Sequence, residues 1–345
     1  MNRAQVADAQ AAGPRPLTRG MRWFLRAGAV LALIAGTQLT FLTEHTDDYF
    51  FWTIDSPVTA AFLGATFWSA AVLALIASRQ ELWIRARLAV PAVGLVSTLL
   101  LVATLQHFDR FDHLISPIWV EVYVFLPPVI VLLLAQQLAV PGFDPSPERS
   151  LPVALRLVLA VQAVVMLVVG TVLLVAPEVD SPLWPWELTP LTSKAVGTWL
   201  VGIGATAAYI AWHDDREDVP RSALAYLVLG GVALAGLVRY SGDVDFGGVD
   251  AWAYVALALS WLGVGAYGTI VSWPEGHFVA RARDRQSFFK FAVTQDGDEV
   301  RLEATVPRDA AEFLDFAYGA SPASGLSQRA GPVSPTRRGR GEPDA

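Results

Sequence analysis

The sequence predicts an all-α polytopic membrane protein: eight transmembrane helices built as two parallel four-helix repeats, followed by a small cytoplasmic α+β tail. Three observations predict it. Eight apolar runs reach the roughly 17–25 residues needed to cross a bilayer, in a chain of 345 residues that is 54% hydrophobic with mean hydropathy +0.43. Basic and acidic residues are sorted into alternate loops. Residues 22–128 and 156–261 read as two copies of one segment.

Residues 1–21 form a polar segment whose Gly13, Pro14 and Pro16 suggest mobility. The first repeat, 22–140, carries spans at 24–42, 57–77, 88–106 and 118–139. A linker with four prolines, 141–152, leads to the second repeat, 153–273, with spans at 153–175, 191–212, 222–239 and 251–273. Within 274–319, two short β-like runs flank Gln295-Asp296-Gly297-Asp298, where Asp-Gly is a strong hairpin signal. Pro307 then opens a short helix through Tyr318, and 320–345, rich in Ser, Pro, Gly and Arg, reads as disordered. The first span also resembles a signal sequence, but it is long for one and lacks a small-residue cleavage site. It is read as retained.

The duplication is legible position by position. Pro57, Thr59, Gly64, Asp112 and Trp119 return as Pro190, Thr192, Gly197, Asp245 and Trp252 at an offset of 133. Arg22, Gly36 and Thr37 return as Arg156, Gly170 and Thr171 at an offset of 134. Four crossings per copy insert both copies the same way up, unlike an inverted repeat.

Arginines precede the first span and fill the loops after spans two, four and six, whereas Glu44, Asp47, Asp48, Asp55, Asp109, Glu187, Asp243 and Asp250 occupy the opposite loops. The positive-inside rule then places both termini in the cytoplasm. Only Lys194 and Lys290 are lysines, an arginine bias that fits a GC-rich bacterial genome and a bacterial plasma membrane. With no cysteine, disulfides, thiolate metal sites and cysteine nucleophiles are excluded.

At the outer rim, Ser56-Pro57, Ser116-Pro117 and Thr189-Pro190 each pair a hydroxyl cap with a proline at the first helical position, and Asp250 takes the capping place of the last span. Counted from the proline, Glu121 and Lys194 are both fifth in their helices and so lie at similar depth. The helix dipole favours Glu121 there and opposes Lys194, which therefore calls for an anionic partner. One reading gathers Glu121, Lys194 and Arg239, with Glu187, Trp186 and Trp52, around an outward-facing pocket between the repeats. The other is a structural Glu121–Lys194 pair, or snorkelling of Lys194 and Arg239. Trp52, Trp119, Trp184, Trp186 and Trp252 read as an interfacial belt, or as an aromatic floor for a ligand.

His107, Asp109, Asp112 and His113 offer ligand types without a standard metal spacing, so solvated loop polarity accounts for them. Pro127-Pro128 interrupts the fourth span, and the glycines of spans six to eight suggest close packing. No carboxylate or arginine lies near the middle of a span, which argues against a proton- or sodium-coupled pump. There is no phosphate-binding glycine loop or serine nucleophile motif, nor a basis for nucleic-acid binding.

The stretch Trp184-Pro185-Trp186-Glu187-Leu188-Thr189-Pro190-Leu191-Thr192, with Gly197 and Trp199 behind it, resembles a motif of uncharacterised multi-pass membrane proteins of actinobacteria. The resemblance implies membrane placement and assigns no residue role. The leading expectation is a carrier or binder of a small or lipidic ligand, without a cofactor. The alternatives are a membrane assembly protein docking a cytoplasmic partner on 274–319, and a membrane-embedded enzyme.

Overall fold

The computed structural model describes residues 13–111, 114–145, 150–177, 183–287, 290–296 and 299–305, with side chains as far as Ile270. It divides into two units, Met1–Pro274 and Glu275–Ala345. The expected helix at 307–318 and tail at 320–345 lie outside the described residues, as do Asp112 and His113.

Among the described residues eight helices are long and apolar enough to cross a membrane. They are α1 (Arg19–Phe41), α2 (Pro57–Ser78), α3 (Ala89–Gln106), α4 (Ser116–Ala139), α5 (Val153–Val175), α6 (Pro190–His213), α7 (Asp218–Arg239) and α8 (Val249–Ser287). Most boundaries follow the apolar runs. α1 begins earlier, because Thr18 accepts from the Met21 amide and caps it, so Arg19, Arg22 and Arg26 are helical. Arg26 thus sits seven residues into α1, roughly 10 Å along the axis, with its guanidinium 5.1 Å from the Trp23 ring. α8 continues well past its apolar stretch, Val249–Ile270.

The hydroxyl caps are realised at two of the three Ser/Thr-Pro sites. Ser56 and Thr189 accept from the amides of Thr59 and Thr192. Ser116 instead lies inside α4, and its hydroxyl donates to the Phe51 carbonyl at 2.5 Å, tying α4 to the loop before α2. Asp250 falls in the first turn of α8, which starts at Val249. Pro127 and Pro128 are accommodated within a continuous α4.

Burial orders the bundle. In their most apolar stretches α2 and α6 are 61% and 67% buried, against 28% for α1 and 17% for α4. The first two are therefore central and the others peripheral. α1 packs along α2 and α5 along α6, while α7 packs on α2 and α3 on α6. Two glycine contacts mark the crossings of α1 with α2 and of α5 with α6. A Cβ at Gly36 would come within 3.3 Å of the Gly64 carbonyl oxygen, and one at Gly197 within 2.6 Å of the Gly170 carbonyl oxygen. Any side chain there would drive α1 from α2, or α5 from α6.

One end of the bundle is basic. There residues 13–17 do not hang free, as their composition suggests, but form a strap. Pro14 bridges to Phe143 and Pro16 to Leu82, with backbone bonds from Arg15 to Phe143, Leu17 to Glu81 and Trp83 to Arg15. Gln137, fully buried in α4, accepts from the Thr18 amide at 2.8 Å and donates to the Pro16 carbonyl at 2.9 Å. Gly142, at φ 136°, lets the linker approach Arg15 closely. Satisfied backbone groups on both sides explain why a Pro/Gly-rich segment is held. Asp214 takes a left-handed φ of 54° at the end of α6, where its carboxylate accepts from the Leu151 amide and Arg156.

In the second unit, β1 (Lys290–Asp296) and β2 (Glu299–Thr305) pair antiparallel, from Lys290 opposite Thr305 to Asp296 opposite Glu299.

Candidate functional site: an apolar cavity behind the α1–α4 seam

The six residues singled out at the rim are dispersed. Lys194 is half-buried and its ammonium donates to Gln106 Oε1 at 2.5 Å, at the end of α3. Glu121, Glu187 and Arg239 are exposed, Arg239 lying 5.0 Å from the Tyr240 ring. Among the described residues no ion pair joins Glu121 to Lys194; the neutral Gln106 amide oxygen answers the ammonium instead. Trp52 and Trp186 are buried in two separate aromatic clusters. Trp52 packs with Phe50, Phe111 and Trp119, while Trp186 packs with Trp184 and Tyr254.

The belt reading holds for Trp252, which is 59% exposed; Trp52, Trp119, Trp184 and Trp186 are 8% exposed or less. Internal partners draw two of these indoles inward: Trp119 Nε1 donates to Thr104 at 3.1 Å and Trp186 Nε1 to Thr59 at 2.8 Å. In the nearby polar loop, His107 faces the Ala103 carbonyl and Asp109 pairs with Arg110.

The bundle does contain a cavity, of about 230 Å³, and none of those six residues lines it. Its walls come from α1, α2, α3, α4, α6 and α7. On α1, Gly28, Ala32, Ala35 and Gln38 face it at helical spacing. The α1 lining extends from Phe24 to Gln38, roughly 21 Å at 1.5 Å per residue. It is therefore a long slot and not a compact hole.

Besides Tyr123 and Tyr226, five wall residues carry hydroxyls, yet they add little polarity, because each of those five is spent on a backbone carbonyl. Ser69 donates to Ala225 at 2.9 Å, joining α2 to α7. Thr66, Ser97, Thr206 and Ser222 donate within their own helices to Leu63, Gly94, Gly202 and Asp218. Two buried wall atoms remain without a hydrogen-bond partner, Gln38 Oε1 and the Tyr226 hydroxyl. Tyr226 is only 4% exposed.

One wall is incomplete. α1 and α4 touch only lightly, and a groove lined by Phe24, Gly28 and Leu31 of α1 and by Val122, Phe125 and Val129 of α4 runs down their seam. Leu31, Ile34 and Ile118 line the slot and are more than half exposed. The apolar edges of the seam face the surface that lipid would cover.

The basic end holds the densest set of titratable groups. His213 lies 3.1 Å from Asp218, which also pairs with Arg221 at 3.1 Å, and Arg87 contacts the other His213 ring nitrogen and lies 5.7 Å from the Tyr209 ring. Ligand atoms of His213, Asp215 and Asp218 lie within 4.8 Å of one another. Two guanidinium groups already supply the positive charge this cluster needs, so its chemistry is that of a clamp joining the start of α3, the end of α6 and the start of α7.

No family model, curated protein or solved structure matches this chain.

Proposed function

We propose that this is a duplicated membrane protein of the bacterial plasma membrane that binds the hydrocarbon chain of a lipid in the α1–α4 slot. The observation that carries the reading is the slot itself: long, apolar, enclosed by six helices and open sideways along one seam. A lateral opening admits a chain directly from the bilayer, so the chain need not cross water. The ligand site of this reading is the slot, and the polar rim has no part in it.

The arginine-rich strap, loops and clamp support a cytoplasmic basic end, since short loops follow the positive-inside rule. The duplication is supported by the two glycine crossings. Gly36 and Gly64 on α1 and α2 correspond to Gly170 and Gly197 on α5 and α6 at offsets of 134 and 133. The packing of α7 on α2 and of α3 on α6 is the reciprocal exchange that two parallel four-helix repeats would make.

The test is photolabelling in nanodiscs containing a diazirine-bearing palmitic acid, with labelled peptides mapped by mass spectrometry. Label concentrated on slot-facing residues of α1, α4 and α7 is the expected result. Label spread evenly over lipid-facing positions of all eight helices would refute the reading.

A further inference from the structure

We infer that the two equivalent seams of the duplicated bundle have diverged into one open slot and one sealed seam, with Gly28, Ala32 and Ala35 keeping the slot open for a single linear hydrocarbon chain. The inference rests on the lipid-binding reading and adds the residues that set its selectivity. The counterpart of the α1–α4 seam is the α5–α8 seam.

The offset of 134 that aligns Gly36 with Gly170 also aligns Gly28 with Gln162, Ala32 with Met166 and Ala35 with Val169. The three small residues of the slot-facing stripe are thus replaced by larger ones in the second copy, whereas Phe24, Leu31, Ile34 and Gln38 of the same wall are each met by a smaller valine. Met166 is fully buried, and Gln162, 2% exposed, donates to Ser260 Oγ at 2.8 Å, which bolts α5 to α8. At the α1–α4 seam the described bolt lies only at the end of the slot, where Gln137 of α4 bonds Thr18 and Pro16 at the start of α1.

Small residues on a helix usually mean close packing, and Gly36 shows that use. Gly28 does not. A Cβ built there would meet no heavy atom within 4 Å, so its lack of a side chain leaves space and brings no helix nearer. Tyr226, 4% exposed on the slot wall, carries a buried hydroxyl without a partner, a feature that Gln162 Oε1 on α5 shares. Size then limits the occupant. An apolar cavity of about 150 Å³ stays dry and holds one benzene. By that measure a slot of about 230 Å³ encloses about nine carbons of a single chain, the rest lying along the open seam, and excludes paired chains.

The test transplants the sealed seam onto the open one. Wild type and the triple variant Gly28→Gln, Ala32→Met, Ala35→Val are compared in phosphatidylethanolamine and phosphatidylglycerol nanodiscs with diazirine-bearing palmitic acid. In wild type, label at the α1–α4 seam is expected to exceed that at the α5–α8 seam at least tenfold. In the triple variant it should fall to the α5–α8 level, with the unfolding temperature unchanged or higher, because the new side chains enter empty space. Equal label at both seams of wild type overturns the inference, as does undiminished label in a folded triple variant. Should the triple variant not fold, Ala32→Met alone decides, and label unchanged from wild type overturns the inference. Absence of internal label in wild type is a different failure: it removes the lipid-binding reading itself.

Discussion

The Tyr226 hydroxyl offers the most direct probe of the slot. It is buried, has no hydrogen-bond partner and lies on an apolar wall. Leaving a buried hydroxyl unsatisfied costs about 1–3 kcal/mol by mutational measures. Tyr226→Phe removes that group and little else, so the lipid-free protein should gain about 1–3 kcal/mol. At roughly 2–4 °C per kcal/mol for large domains, the unfolding temperature in detergent should rise by several degrees. A ligand oxygen within reach would reverse the comparison. The hydroxyl would then make a net hydrogen bond of about 0.5–1.5 kcal/mol, equivalent to a two- to tenfold preference. Wild type should therefore retain 12-hydroxystearic acid two- to tenfold better than stearic acid, and Tyr226→Phe should lose that preference. The assay is unfolding of delipidated protein followed by competitive loading of the two acids, read by native mass spectrometry. Destabilisation of the lipid-free variant by more than about 1 kcal/mol would refute the reasoning, because it would mean the hydroxyl already has a partner.

Other perturbations test the frame around the slot. Met166→Ala should cost about 2–5 kcal/mol of stability, the range for emptying a filled core position, as Met166 is fully buried; a loss below 1 kcal/mol in chemical unfolding would contradict the sealed seam. Gly197→Ala should destabilise by about 1–3 kcal/mol through overpacking, since its Cβ would lie 2.6 Å from the Gly170 carbonyl oxygen, whereas Gly263→Ala meets nothing within 4 Å and should be neutral or better. Equal melting of those two variants would disprove the close crossing. Gln137→Ala deprives the strap of both its amide bonds, and limited proteolysis should then cut within residues 13–18 at least several-fold faster; unchanged cleavage would show that the strap holds without it. Because the chain has no cysteine, Asp47→Cys and Arg79→Cys provide single thiols for orientation. An impermeant maleimide applied to intact cells should label the first and spare the second, and the opposite pattern would invert the proposed topology.

The eight helices were legible because a span announces itself locally, through twenty apolar residues between polar ends. The capping prolines were legible for the same reason, and Ser56 and Thr189 act as expected. Ser116 departs from the rule because α4 begins one residue earlier than the proline suggests, which puts Ser116 inside the helix, where its hydroxyl donates to the Phe51 carbonyl. The strap at 13–17 was hidden, since its order comes from backbone partners at 81–83 and 143, which composition does not encode. The rim residues drew attention by charge, a signal of what must be solvated. The slot carries no charge. Its signal is Gly28, Ala32, Ala35 and Gln38 on one helical face, and a small-residue stripe reads the same whether it receives a helix or leaves a void. Only the absence of atoms near the Gly28 Cβ position separates the two.

That distinction explains what the two copies share and where they part. Helix crossings pose the same steric problem twice, so the glycines at both crossings are kept: 36 and 64 in one copy, 170 and 197 in the other. A ligand site poses its problem once. If both seams were open, two loosely packed pairs would each forfeit the dispersion contacts that a filled interior supplies, and the peripheral helices, already 28% and 17% buried in α1 and α4, would have little else to hold them. Bolting α5 to α8 midway through Gln162 and Ser260 gives the second half a contact that the first half forgoes along its slot. On this reasoning the sealed seam is the structural complement of the open one. Variants that weaken it should lower the stability of the bundle while leaving chain binding at α1–α4 within twofold of wild type, and Gln162→Ala, which removes the bond to Ser260, carried through both measurements separates those effects.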